Sequence, residues 1–134
     1  MWSERQHVDY ALARRSTLHS LFGGGSVALS DVCDADPYLL RAAKFHGEAT
    51  EALCPVCRRE PLRHVTYVFG DELGQYSGRI KATAELEEMA HQYGEFKVYV
   101  VEVCGGCSWN HLSHSFVLGD GVPRGRSQRR RAAE

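Results

Sequence analysis

The sequence contains no run of apolar residues that approaches the roughly 20 needed to span a bilayer. The N-terminal segment, Met1-Trp2-Ser3-Glu4-Arg5, is polar as a whole and lacks the apolar core of a signal peptide. No Ser-His-Asp grouping, phosphate-binding loop or dinucleotide fingerprint is visible either. We therefore expect a cytoplasmic protein that has no membrane association, no small-molecule substrate and no enzymatic activity.

The chain also has almost no net charge, −1 over 134 residues, but the two signs are unevenly distributed. Residues 1–120 carry 11 Lys and Arg against 16 Asp and Glu, whereas residues 121–134 carry five arginines against one glutamate. An acidic body with a basic tail favours an adaptor over a protein that coats DNA. The tail is nearly free of apolar residues, which predicts disorder. Either it is a solubilising end, or it contacts nucleic-acid phosphates through Arg124, Arg126, Arg129, Arg130 and Arg131.

Four of the five cysteines form two matching pairs, Cys54-Pro-Val-Cys57 and Cys104-Gly-Gly-Cys107. Two such pairs supply the four sulfurs of a tetrahedral zinc site. Four protein ligands leave no position for water, so one structural zinc ion is predicted rather than a catalytic one. The 46 residues between the pairs exceed the usual spacer, which predicts an inserted element. The fifth cysteine, Cys33, is expected to be a small buried side chain, with a fifth ligand or a reactive thiol as the alternative.

Two other interpretations of the cysteines stay open. A C-x-x-C can be a redox pair, which needs its first cysteine at a helix N-terminus. Pro61 after the first pair and the glycines of the second do not favour a helix, so a thiol-based redox or zinc-sensing protein is the alternative function. His111 and His114 follow the second pair, but alternation along a strand makes it awkward for both to bind one ion.

Apolar periodicity predicts an α+β fold. We expect an N-terminal helical segment over residues 1–50, a zinc-ribbon-like domain over 51–120 and a disordered basic tail over 121–134. The ribbon is a three-stranded antiparallel sheet with an inserted helix. The predicted elements are helices over 4–22, from near 30 to 45 with a break at Asp36-Pro37, and from a Thr83 cap to Gly94, and strands over 62–69, 96–103 and 109–118.

Residues 30–45 also resemble a helix-turn-helix, which makes a DNA-binding regulator a second alternative. The helix after Pro37 offers only Arg41 and Lys44, and three aspartates precede it, so repulsion from phosphates disfavours base recognition. Its apolar residues suit a partner better. The predicted partner-binding residues are Tyr38, Leu39 and Phe45, or the strand that bears Trp109.

Several long stretches carry a resemblance: residues 32–48, Cys54-Pro-Val-Cys57-Arg, Val68-Phe-Gly-Asp-Glu-Leu-Gly74 and Val103-Cys-Gly-Gly-Cys-Ser-Trp-Asn-His-Leu112. They are similar to a family of small actinobacterial proteins that is catalogued as a domain of unknown function. The resemblance covers about residues 7–119 and implies a soluble cytosolic protein with paired C-x-x-C turns, but no activity. The leading hypothesis is a non-enzymatic zinc-binding adaptor that docks on a protein or nucleoprotein assembly, by analogy the transcription or translation machinery.

Overall fold

The computed structural model of the protein describes residues 2–124. Arginines 126, 129, 130 and 131 of the predicted tail lie outside the described residues. The fold is α+β, as predicted, and its five strands form one antiparallel sheet in the order β1-β5-β4-β3-β2. Along the chain the elements are β1 (Arg5–Asp9), α1 (Ala11–Phe22), α2 (Leu29–Val32), α3 (Pro37–His46), β2 (Glu48–Leu53), β3 (Pro61–Phe69), a 3-10 segment (Asp71–Tyr76), α4 (Thr83–Gln92), β4 (Phe96–Val103) and β5 (Asn110–Leu118).

The three predicted strands are present as β3, β4 and β5, but the sheet contains two more. The helix predicted over residues 4–22 begins only at Ala11, because residues 5–9 form strand β1. Strand β2 has the sequence Glu-Ala-Thr-Glu-Ala-Leu, which favours a helix when isolated. It is a strand because it pairs with β3, and the pairing shifts register between Ala49 and Leu53. Both added strands are polar edges of the sheet, as is usual for edge strands.

The ends of the helices follow local chemistry. Asp36 caps α3 as predicted, because its carboxylate accepts a hydrogen bond of 2.8 Å from the Leu39 N–H. Pro37 occupies the first helical position, where a missing amide proton costs nothing. The prediction that Thr83 caps α4 is wrong. The cap position is Ala82, whose N–H donates to the Glu85 carboxylate at 2.7 Å.

The chain divides into two compact units, each assembled from separate stretches of sequence. The cysteine unit comprises residues 9–65 and 100–114, and the α4 unit comprises the described parts of residues 1–8, 66–99 and 115–134. The predicted boundaries at residues 50 and 120 stay a prediction. None of the helices in residues 2–124 combines the length and the apolar character that a bilayer crossing requires.

Each unit has buried apolar residues of its own. In the α4 unit, one face of α4 is buried, and Phe96 and Val98 of β4 are almost fully inaccessible. In the cysteine unit, Trp109 is completely buried in a cluster with Val32, Cys54, Leu62 and Cys104. The first cysteine of each pair is therefore built into a hydrophobic core, where burial excludes water from Cys54 and Cys104.

Candidate metal centre

The two cysteine pairs lie in two turns of the same backbone design. We call residues 54–57 the first cysteine turn and residues 104–107 the second. In each turn, the N–H of the residue after the second cysteine donates to the carbonyl of the first: Arg58 to Cys54 at 3.0 Å, and Ser108 to Cys104 at 3.1 Å. The first cysteines donate their own N–H groups to the carbonyls of Glu60 and Trp109, both at 2.8 Å. The turns are thus anchored on both sides by the strands that they connect.

Positive φ angles mark the same position in both turns. Arg58 has a φ of 57° and Ser108 a φ of 71°, values that non-glycine residues seldom adopt. Neither Gly105 nor Gly106 has a positive φ. The backbone reversal is therefore concentrated one residue beyond each cysteine pair.

The four sulfurs converge, as the paired motif predicts. Every Sγ atom of Cys54, Cys57, Cys104 and Cys107 lies within 4.8 Å of the other three. The Sγ–Sγ distance is 3.6 Å between Cys54 and Cys107 and 3.7 Å between Cys57 and Cys104. A tetrahedral ion with bonds of about 2.3 Å places its sulfurs about 3.8 Å apart. The cluster therefore has the spacing of a four-thiolate metal site, and each of these close contacts joins one turn to the other.

Backbone amides lie around the sulfurs. The Val56 N–H donates to the Cys54 Sγ at 3.4 Å, and the Cys107 N–H donates to the Cys104 Sγ at 3.5 Å. The amides of Arg59 and Glu60 lower the pKa of Cys57 to about 6, because they stabilise its thiolate. Four thiolates around a dication carry a net charge of −2, and such amides disperse part of it.

Burial raises, rather than lowers, the pKa of two other cysteines of the cluster. Desolvation raises the pKa of Cys54 to about 12 and that of Cys107 to about 11. Cys54 and Cys104 are fully inaccessible, whereas Cys57 and Cys107 are half-buried at the rim. In the metal-free protein the first turn's two sulfurs thus differ strongly in acidity. A metal ion must displace protons from the buried thiols to bind all four.

A buried carboxylate near the second turn, that of Glu102, binds the side chains of Trp109 and Arg14. Glu102 is only 5% exposed and accepts a hydrogen bond of 2.8 Å from the Trp109 indole Nε1. The Arg14 Nε donates to both of its carboxylate oxygens, at 3.0 and 2.9 Å. This network ties α1 and β4 to Trp109, the second residue after the second turn. Sequence reasoning did not identify Glu102, although the alternation along β4 places it on the same buried face as Phe96 and Val98.

The predicted partner-binding residues fall in two different environments. Tyr38 and Phe45 on α3 are 79% and 67% exposed, and Leu39 is half-buried. Trp109 is fully buried in the core, so we leave it out of any docking surface. Binding of a partner to any of these residues stays a prediction.

The histidines beyond the second turn are not members of the sulfur cluster. In residues 2–124, the group of side chains that fits a metal ion consists of the four cysteines. The His111 ring stacks on Trp109 with centroids 5.8 Å apart, and its Nδ1 lies 2.8 Å from the Leu112 carbonyl. The His114 Nδ1 lies 3.0 Å from the Ser113 hydroxyl.

The first arginine of the basic tail is engaged within the α4 unit. The Arg124 guanidinium binds the Asp120 carboxylate through Nη1 at 3.0 Å and Nη2 at 3.1 Å, and its Nε donates to the His91 carbonyl at 3.2 Å. The same ion pair lowers the pKa of Asp120. Arg124 thus has internal partners, and any contact of the tail with nucleic acid would depend on the arginines beyond it.

These features define an α+β protein with a four-cysteine cluster that can hold a metal ion. Residues 1–133 match the family of unknown function DUF5318, and the chain belongs to that family. An uncharacterized protein of Mycobacterium bovis is 52% identical over 116 residues, which cover 87% of this chain and 84% of the relative. Uncharacterized proteins from two strains of Mycobacterium tuberculosis match to the same extent. No solved structure matches the chain significantly. The resemblance to an actinobacterial family of unknown function is thereby confirmed.

Proposed function

We propose that this chain is a non-enzymatic zinc-binding adaptor, in which one structural zinc ion joins the two cysteine turns and helix α3 docks on a partner. The turns, with β3, β4 and β5 and the inserted α4, then correspond to the zinc ribbon expected from the sequence. The observation that carries the proposal is the 3.6 and 3.7 Å spacing of sulfurs from opposite turns.

Zinc is the ion that this donor set suits best. Four thiolates in tetrahedral spacing favour zinc or an iron–sulfur centre, and exclude the hard cations magnesium and calcium on grounds of ligand softness. With all four positions taken by protein sulfur, the ion has no place for a substrate or a reactive water. Its role is then to stabilise the fold, and the protein's function lies in what its surface binds.

Metal analysis of the purified full-length chain tests the proposed structural zinc ion. We expect one zinc per chain by plasma mass spectrometry and a colourless protein. Replacement of Cys104 by serine should abolish stoichiometric zinc, whereas the matched variant Cys33→Ser should retain it. Bound iron with visible absorbance, or a folded native chain without metal, would contradict a structural zinc site.

Helix α3 supplies the proposed docking surface. Its two most exposed aromatic rings each lie beneath a cation: Arg41 is 5.4 Å from the Tyr38 ring centroid, and Lys44 is 5.4 Å from that of Phe45. A groove of about 610 Å³ separates α3 from the second cysteine turn. Its lining includes three cations against one carboxylate, namely Arg41, Lys44, Arg63 and Glu60. This surface therefore suits an acidic partner that also offers apolar contacts.

We further propose that the partner is a protein or nucleoprotein assembly of the transcription or translation apparatus, by analogy with other ribbons. Site-specific photocrosslinking in the native cells tests the surface itself. A photoreactive phenylalanine at position 45 should give a discrete adduct. Position 12 is the matched control, because Leu12 is 78% exposed on a different helix. Adducts from position 12 alone, or identical adducts from both positions, would contradict docking through α3.

A further inference from the structure

The fifth cysteine lies against the metal centre although it is outside the cluster. The Cys33 thiol donates a hydrogen bond to the Cys107 Sγ, and the two sulfurs are 3.8 Å apart. Cys33 follows helix α2 in the cysteine unit, and its sulfur contacts one corner of the four-sulfur group. It is thus a thiol that stands beside a metal ligand without being one of the four ligands itself.

This proximity is maintained by the backbone on both sides of Cys33. Its own N–H donates to the Leu29 carbonyl at 2.8 Å, which closes α2. Two residues later, the Ala35 N–H donates to the carbonyl of Ser108 at 3.1 Å. Between them, the Asp34 carboxylate accepts a hydrogen bond of 2.9 Å from the Asn110 side chain. Residues 33–35 are therefore all held by hydrogen bonds, and two of them, Asp34 and Ala35, are bound to the segment directly after Cys107.

Accessibility divides the five cysteines into a rim and an interior. Cys33, Cys57 and Cys107 are half-buried, whereas Cys54 and Cys104 are fully inaccessible. Of the two half-buried members of the cluster, Cys107 is the one that Cys33 contacts. A small oxidant can therefore reach the edge where Cys33 meets Cys107 but not the interior sulfurs. A disulfide requires a sulfur separation of about 2.05 Å, so the two sulfurs must approach each other by roughly 1.8 Å to form one.

We propose that Cys33 and Cys107 form a peroxide-responsive disulfide that opens the metal centre. The inference rests on the metal site of the proposed function and adds a regulation to it. In the reduced protein, the Cys33 thiol donates to the Cys107 sulfur and offsets part of the negative charge of the ligand set. On oxidation, it becomes the resolving thiol.

The chemistry balances with a hydroperoxide as the oxidant. The Cys107 sulfur attacks one oxygen of hydrogen peroxide, an S–O bond forms, the O–O bond breaks, and the departing hydroxide takes a proton and leaves as water. The Cys33 sulfur then attacks the Cys107 sulfenic acid. An S–S bond forms, the S–O bond breaks, and hydroxide leaves with the thiol proton as a second water. The two sulfurs together give up two electrons, and three thiolates remain at the centre.

The test uses the full-length zinc-loaded chain treated with hydrogen peroxide. Zinc release is followed with a chromogenic chelator, and the disulfide is mapped by peptide mass spectrometry. We expect a Cys33–Cys107 link that appears together with the released zinc, and full zinc rebinding after reduction with dithiothreitol. In Cys33→Ser, Cys107 should proceed to the irreversible sulfinic acid, so zinc released by peroxide should not be regained.

Several outcomes would overturn the inference. One is a disulfide that joins only cysteines of the two turns, and another is a Cys33→Ser variant that releases and regains zinc like the unmodified chain. Mapping on the unmodified chain needs no substitution, so it decides the question even if the variant misfolds. A chain that never holds zinc would refute the proposed function instead. A chain that holds zinc but forms no Cys33–Cys107 link refutes this inference alone.

Discussion

Arg58 and Ser108 occupy the same position in the two cysteine turns, each directly after the second cysteine, and both have a left-handed backbone. Their N–H groups make the same hydrogen bond to the carbonyl of the first cysteine in their turn. The two turns thus share one conformation although their inner residues, Pro-Val and Gly-Gly, have nothing in common. The shared geometry therefore does not depend on the identity of the two inner residues.

The left-handed positions predict a stabilising substitution. Replacing Ser108 or Arg58 by glycine should raise the free energy of unfolding of the zinc-loaded protein by about 0.5–1 kcal/mol, because glycine adopts this conformation without steric cost. Arg59→Gly is the matched control, since Arg59 is also exposed but lacks a positive φ, and it should lower stability. Denaturation with urea measures all three. If both Arg58→Gly and Ser108→Gly destabilise the protein, the arginine and serine side chains contribute more to stability than the relief of backbone strain does.

The buried carboxylate of Glu102 predicts that Arg14, far away in the sequence but in contact with it, contributes strongly to stability. Arg14→Ala should lower the free energy of unfolding by about 1–3 kcal/mol, because Glu102 is then left with a single hydrogen-bond donor in a buried site. Arg15→Ala is the matched control on the same helix, where the side chain is exposed, and it should change stability by less than about 0.5 kcal/mol. Equal effects of the two substitutions would argue against a structural role for the Arg14–Glu102 pair.

Metal affinity should depend on pH. Burial raises the pKa values of Cys54 and Cys107 to about 12 and 11 in the folded unit, and cysteine thiols of an unfolded chain also titrate above neutral pH, so both are protonated near pH 7 before the ion binds. Each proton that the ion displaces makes the apparent affinity rise by about tenfold per pH unit. Cys57, with a pKa of about 6, adds a further dependence only below that pH. Competition with a chelator at several pH values measures the slope, and calorimetry in two buffers counts the protons. An affinity that does not change between pH 6.5 and 7.5 would contradict this assignment.

Removal of the metal should unfold the cysteine unit. Without an ion, the sulfurs of the two turns retain only weak mutual contacts, and the binding free energy of structural zinc is largely folding free energy. A strong chelator should therefore lower the melting temperature and increase amide hydrogen exchange at residues 54–60 and 104–109. Residues 83–92 of α4 provide the internal reference for exchange. A thermal transition that is unchanged by the chelator would contradict a structural ion.

The basic tail should contribute to nucleic-acid binding only beyond Arg124. That arginine is paired with Asp120, so deletion of residues 125–134 is the informative truncation. It removes four arginines, and the slope of log affinity against log salt should become shallower by up to about 0.9 for each phosphate that these arginines neutralise. Fluorescence anisotropy with a labelled oligonucleotide at several salt concentrations measures the slope. If both chains have the same slope, the tail does not contact phosphate.

Local sequence patterns were sufficient to predict several of the helices and strands. The β-branched run of β3 and the alternation in β4 identified these strands almost to the residue, and the Asp36-Pro37 start of α3 is visible in the sequence alone. The edge strands β1 and β2 escaped prediction because they are short and polar, so that pairing with a neighbour is what makes them strands. The predicted cap of α4, Thr83, lies one residue after the observed cap, Ala82. Threonine is a common capping residue, but here the Glu85 side chain binds the backbone N–H of Ala82 instead.

By itself, the sequence determined which four cysteines cluster and their pairing into two turns, because each C-x-x-C spacing places two sulfurs on one side of a tight turn. Only the tertiary structure decided what surrounds them. Cys33 is 74 positions away from Cys107 along the chain, and Arg14 is 88 from Glu102, yet each pair is in contact. Such contacts arise from tertiary packing between segments that are far apart in the sequence, which no local periodicity encodes. The same packing buries Trp109 and leaves Tyr38 and Phe45 exposed.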